Sequence, residues 1–95
     1  MKLRYTLRGA AELDQVLDYI EARSPQGARH VPIRTQFTID LLLQYPRAGQ
    51  LTSKDRLRRI IVSPYPYFIF YHATEHEIVI HGVRHSARSP SIASE

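Results

Sequence analysis

The chain has 95 residues, a formal net charge of +4, 43% hydrophobic residues and no cysteine. This length makes one domain with a modest core, the apolar content excludes a disordered chain, and the lack of cysteine excludes a disulfide framework or a thiolate metal site, as in cytosolic proteins. Lys2, Arg4 and Arg8 precede no long apolar run, and no stretch approaches the ~20 apolar residues of a membrane span, so a soluble, cytoplasmic protein without a membrane contact is expected.

Lys2 to Leu7 alternates polar and apolar residues and reads as a short strand. Leu13, Val16, Leu17 and Ile20 then recur at i, i+3, i+4 and i+7, the stripe of an amphipathic helix from about Gly9 to Arg23. Ser24-Pro25 ends it, since proline disfavours helical geometry in the residue before it. Ser24 also suits the cap of a second helix, with Pro25 in its first turn. That helix should reach Tyr45, where Pro46 stops it. Pro32 lies deep inside the span and costs ~3 kcal/mol in a regular helix, which predicts a kink or a short helix followed by a longer one. Beyond it Ile33, Phe37 and Leu41 form one apolar stripe, and Ile39, Leu42 and Leu43 form another. One stripe faces the core; the other is to be buried in this chain or under a partner.

Arg47 to Asp55 reads as a polar loop, followed by strands at Leu57–Ser63, Tyr67–Ala73 and Glu77–His85 with links short enough for an antiparallel meander. Residues 86–95 read as a flexible C-terminal tail. A turn at Glu75-His76 sets Tyr71 opposite Ile80 and Phe70 opposite His81. Tyr67, Ile69, Tyr71, Ile78, Ile80 and Arg84 would then share one face. Phe68, Phe70, His72, Val79, His81, Val83 and His85 would share the other. Both faces are substantially apolar, and two helices cover only one of them well.

Basic residues concentrate between Arg29 and Arg59, where Arg29, Arg34, Arg47, Lys54, Arg56, Arg58 and Arg59 meet only Asp40 and Asp55. Such a patch attracts nucleic acid or an acidic partner, or is a solvated face. The five histidines show no metal-binding spacing; His72 and His81 share a sheet face and read as structural. No paired carboxylates, nucleophile elbow or phosphate-cradling glycine loop is present. What remains is Arg84, His85 and Arg88 at the end of the last strand. Metal-free RNA cleavage needs a base, an acid and positive charge at the phosphate, with Tyr65, Tyr67 or Tyr71 as stacking platforms. A solvated strand end that contacts a partner fits the same residues.

Taken in order, several motifs resemble a ParE-type toxin of the RelE/ParE superfamily, the toxic half of type II toxin–antitoxin modules. They are the helix end Leu17-Asp18-Tyr19-Ile20, the Pro46-Arg47-Ala48-Gly49 stop, Arg58-Arg59-Ile60 opening a strand and Tyr67-Phe68-Ile69-Phe70-Tyr71. The closing run is Ile80-His81-Gly82-Val83-Arg84-His85 through Arg88 and Pro90. The resemblance covers nearly the whole chain and implies a single α+β domain over residues 1–95, β-α-α-β-β-β, with a mainly antiparallel sheet and both N-terminal helices on one face. It implies no cofactor and no metal. It implies a hetero-oligomer with a ParD-type ribbon-helix-helix antitoxin, which alone would carry operator-DNA binding. The apolar residues expected to meet the antitoxin are Leu17, Ile20, Phe37, Leu41, Leu42, Tyr45, Phe68 and Phe70, so that Phe37→Ala or Leu42→Ala should weaken the complex more than Arg47→Ala. Two activities occur in the superfamily. One is poisoning of DNA gyrase by protein contact, for which Arg47, Lys54, Arg56, Arg58, Arg59, Arg84, His85 and Arg88 are the contact residues. The other is ribosome-dependent mRNA cleavage, for which Arg58, Arg84, His85 and Arg88 would be catalytic. Gly82 stands where an arginine is often found, no tyrosine follows His85, and the C-terminus lacks a Tyr or Lys general base. These departures favour a gyrase inhibitor that is not an enzyme over an endoribonuclease.

Overall fold

The computed structural model describes residues 1–86. Strand β1 (Lys2–Tyr5) leads into helices α1 (Leu7–Arg23) and α2 (Pro25–Gln44), followed by β2 (Gln50–Leu51), β3 (Arg58–Ile61), β4 (Tyr67–Ala73) and β5 (Glu77–His85). The five strands form one sheet in the order β1-β5-β4-β3-β2. β1 lies parallel to β5, and every other pairing is antiparallel. This is the expected α+β architecture with one added strand. β2 falls inside the segment expected to be a loop, where Gln50 and Leu51 pair with Arg59 and Arg58, and Thr52 N–H to Leu57 O at 2.9 Å closes its turn.

Capping sets both helix starts. Thr6 Oγ1 accepts from Gly9 N–H at 2.9 Å, so α1 begins at Leu7, two residues before Gly9. Ser24 serves both helices: its N–H reaches Ile20 O at 2.8 Å and its Oγ accepts from Gly27 N–H at 3.0 Å, each satisfying an end group the helix cannot pair itself. α2 runs unbroken through Pro32, contrary to the alternative of two consecutive helices. Proline removes a single backbone bond, and burial of Val31, Ile39 and Leu42 on the inner face holds the helix across it. Thr35 and Thr38 are buried there too, with hydroxyls donating to the carbonyls of Val31 and Arg34 at 2.7 and 2.8 Å.

The main core joins Ile39 and Leu42 of α2 to Ile69, Tyr71, Ile78, Ile80 and Val83 of the sheet, and Leu13 and Val16 of α1 pack against it. A smaller cluster of Ile20, Val31 and Tyr67 closes the hairpin end. Both helices therefore cover one face of the sheet.

The register matches expectation only up to a point. Tyr71 lies opposite Ile80, but Phe70 lies opposite Gly82 rather than His81, because the β4–β5 ladder shifts between Phe70 and Tyr71. The irregularity fits one extra residue into β5, and beyond it every side chain changes sides. Val83 and His85 join the helix-covered face with Ile69 and Tyr67, and Arg84 moves to the open face with Phe68. All three had been assigned to the opposite faces.

Candidate functional site

β1 leaves β5 at Ile80, where Thr6 N–H bonds its carbonyl at 3.0 Å and the chain turns into α1. Glu12 then takes the place of a missing strand. Its Oε1 accepts from Val83 N–H at 3.0 Å, and its Oε2 accepts from Arg84 Nε at 3.1 Å and NH2 at 2.9 Å and from Arg8 Nε at 3.1 Å. A β-carbon on Gly82 would stand 2.6 Å from Glu12 Oε1. The Glu12 carboxylate thus occupies the space that a side chain at position 82 would enter, so a larger residue there would have to displace it, which fits the glycine where the resemblance led one to expect an arginine. Arg84 is consequently tethered by Glu12.

Arg84, Arg8, Lys54, His72 and His81 line an open cleft of about 620 Å3 on the uncovered face. His72 Nδ1 and His81 Nε2 approach to 2.7 Å, and His72 Nε2 lies 3.2 Å from the Asp55 carbonyl. A carbonyl only accepts, so neutral His72 carries its proton at Nε2 and receives at Nδ1 the Nε2–H of His81. The pair ties the turn between β2 and β3 to the sheet, and Phe70 beneath is only 3% exposed. Burial first, then the nearby His72 and Arg4, pulls the His81 pKa below the ordinary imidazole value. A folded-state value below the unfolded one of about 6.5 means this stabilisation is complete above that pH and is lost as pH falls through the folded value. Acidification from neutral to about pH 5 should therefore lower the urea midpoint more in the wild type than in His81→Gln, which keeps a donor but does not titrate. Parallel pH profiles would contradict this.

The Pro46-to-Gly49 turn closes over the far edge of the sheet. Buried Tyr71 donates its hydroxyl to Pro46 O at 2.8 Å and accepts from Gly49 N–H at 2.9 Å. A β-carbon at Gly49 would meet that same hydroxyl at 2.6 Å. Arg58 NH1 donates to Gly49 O at 2.7 Å, fixing the turn from β3. Tyr71→Phe should cost about 1–2 kcal/mol, the value of a buried hydroxyl with both bonds made; an unchanged unfolding midpoint would show that the turn is held without it.

The residues expected to meet the antitoxin and those expected to meet the target differ in exposure. Ile33 and Phe37 on α2 and Tyr45 at its C-cap are exposed at 65%, 55% and 61%, with Leu41 half-buried between them. Arg34 lies over the Phe37 ring at 4.6 Å. Leu42 is fully buried at 0% and Ile20 and Phe70 are also buried, so these three expected contacts belong to this chain's own packing. Leu17 and Phe68 are half-buried. Arg59 covers Phe68 at 4.6 Å.

Arg47, Lys54 and Arg56 are exposed around the β2 turn. The proposed ribonuclease set is not brought together among the described residues. Arg84 occupies the open face, whereas His85 lies edge-on to Tyr67 at 5.3 Å on the helix side. Arg58 is aligned with Tyr71, four residues further along β4, about 13 Å at the usual strand rise. Arg88 lies outside the described residues, as does most of the expected tail. Nothing in the sequence pattern singled out Glu12, because its role depends on the register shift that brings Val83 N–H and Arg84 to it.

This fold, a helical hairpin over one face of a five-stranded sheet, has likenesses among solved structures. The chromosomal ParDE system from P. aeruginosa matches with a TM-score of 0.72 and 22% identity, covering 90% of this chain and 95% of that one. The E. coli DinJ–YafQ complex matches at 0.62 and 10% identity, covering 93% and 96%. These likenesses concern the fold. In sequence, Toxin RelE2 of Caulobacter vibrioides is 36% identical over 84 residues, spanning 88% of this chain and 93% of that protein. Residues 3–90 match the model of the ParE toxin of the type II toxin–antitoxin system parDE. The chain belongs to the ParE toxin family, within the RelE/ParE superfamily, and is a type II toxin. Among the described residues no helix is long and apolar enough to cross a membrane.

Proposed function

We propose that this toxin arrests growth in the cytoplasm by binding DNA gyrase through protein contact, and that a ParD-type antitoxin neutralises it by laying an apolar segment along the outer face of α2. The outward row Ile33, Phe37 and Tyr45 carries the antitoxin half of the proposal: it is the exposed apolar stripe of a helix whose opposite face is already filled. Operator DNA would be met through the antitoxin. The gyrase half is supported by the scattered ribonuclease set, since Arg84 is engaged by Glu12 and lies across the sheet from His85. An acid–base centre needs its groups converging within hydrogen-bond reach of one substrate atom.

One observation favours the alternative, a ribosome-dependent mRNA endoribonuclease. The His72–His81 pair is oriented and lies in a cleft with Arg8, Lys54 and Arg84, so catalysis would centre there instead of at His85. Induction of the chain without its antitoxin separates the two. Gyrase poisoning predicts growth arrest with altered plasmid supercoiling, intact messages, and undiminished toxicity of His81→Gln. Fragmented messages and harmless His81→Gln would overturn it in favour of the nuclease.

A further inference from the structure

At its C-terminal end the outer face of α2 runs into a second depression, an open groove of about 930 Å3 that includes Tyr45, Leu51, Arg47, Arg56, Arg58 and Glu75 in its wall. Its apolar part is exposed: Tyr45 keeps 61% and Leu51 62% of its surface. Three arginines face one carboxylate, and Arg58 directs its hydrogen bonds to the carbonyls of Gly49 and Arg47. Arg56 adds a separate signal. It holds a left-handed backbone with φ of 57°, the only non-glycine residue with positive φ among the described ones. That conformation favours glycine or asparagine. A long cation at a position where glycine would be less strained points to a role for its side chain outside the fold.

We infer that this groove receives an acidic stretch of the antitoxin, continuous with the apolar segment on α2, with an aliphatic or aromatic side chain against Tyr45 and Leu51 and carboxylates against Arg47 and Arg56. The inference rests on the antitoxin docking along α2 proposed above and names the chemistry of the adjoining stretch. Tyr45 belongs to both surfaces, so one segment leaving the last turn of α2 enters the groove directly. A peptide suits the site better than a nucleic acid backbone, because phosphodiesters gain nothing from the exposed leucine.

The test titrates the full-length cognate antitoxin against purified toxin variants, with thermal melts of each variant alone. Arg47→Glu combined with Arg56→Glu should weaken binding at least about tenfold near 0.1 M salt, and the loss should shrink as salt screens the charges. Phe37→Ala should weaken binding with little dependence on salt. Arg56→Gly should melt no lower than the wild type, since the strain is relieved, and yet bind more weakly. Wild-type affinity in the charge-reversed double variant alongside a weakened Phe37→Ala would overturn the groove while leaving the α2 docking intact. Unaltered affinity in both would overturn both. Loss of gyrase binding with antitoxin affinity retained in the double variant would assign the groove to the target and also overturn the inference.

Discussion

Replacing Glu12 with alanine is expected to destabilise the fold by about 2–3 kcal/mol, the largest effect of any substitution outside the hydrophobic core. Three groups lose their partner together: Val83 N–H, the Arg84 guanidinium and Arg8. A buried strand N–H left without an acceptor costs about 1–3 kcal/mol, and that of Val83 is partly buried beyond the end of β1. Breaking a buried ion pair on one side costs about 3–5 kcal/mol, reduced here because the Arg84 and Glu12 side chains retain 22% and 14% exposure and water can partly replace the carboxylate. Arg8 is two-thirds exposed at 67% and adds little. Glu12→Gln should lose less, about 1 kcal/mol, because its amide oxygen still accepts from Val83. Urea unfolding of both variants measures this order directly. An alanine variant that unfolds at the wild-type midpoint would mean that the β5 edge is satisfied in some other way.

Phe37→Ala should weaken antitoxin binding by about 2 kcal/mol, roughly 30-fold, with its own stability nearly unchanged, because an exposed aromatic that becomes buried in a complex is a typical binding anchor. Leu42→Ala should do the reverse, lowering stability by about 2–5 kcal/mol as expected for truncating a fully buried leucine. Any effect on the complex would follow from that. The sequence placed both residues in the antitoxin contact; the structure divides them, since they lie five positions apart, about 140° around the helix. Thermal melts of the free toxins and titrations of the complexes distinguish the two outcomes. A destabilised Phe37→Ala or a stable Leu42→Ala would contradict the assignment of inner and outer faces.

Much of the architecture was legible because it follows from local rules. The stripe Leu13, Val16, Leu17 and Ile20 marked α1, Ser24-Pro25 marked the joint between helices, and Pro46 and Gly49 marked the stop after α2. The sequence even showed two stripes on α2, though not which one faces outward, because that depends on the sheet packed beneath. Gly82 shows the limit of motif comparison. By resemblance it was a missing catalytic arginine; in the structure it is the space occupied by the Glu12 carboxylate. Register shifts leave little trace in composition, and here a single shift moved Val83, Arg84 and His85 to the faces opposite those expected. The basic cluster that looked like one site therefore became two separate surfaces. His72 and His81 were correctly placed on one face, but their contact with each other and with Asp55 depends on the turn after β2, whose short pairing has no periodicity to reveal it.

The central claim, a protein-contact inhibitor of gyrase without a catalytic centre of its own, is tested most directly by a supercoiling assay with purified gyrase and toxin. The expected result is loss of supercoiling as toxin is added, equally for the wild type and His81→Gln, and its restoration by the antitoxin. Supercoiling that persists in excess toxin, while the same preparation cleaves message on programmed ribosomes, would contradict it.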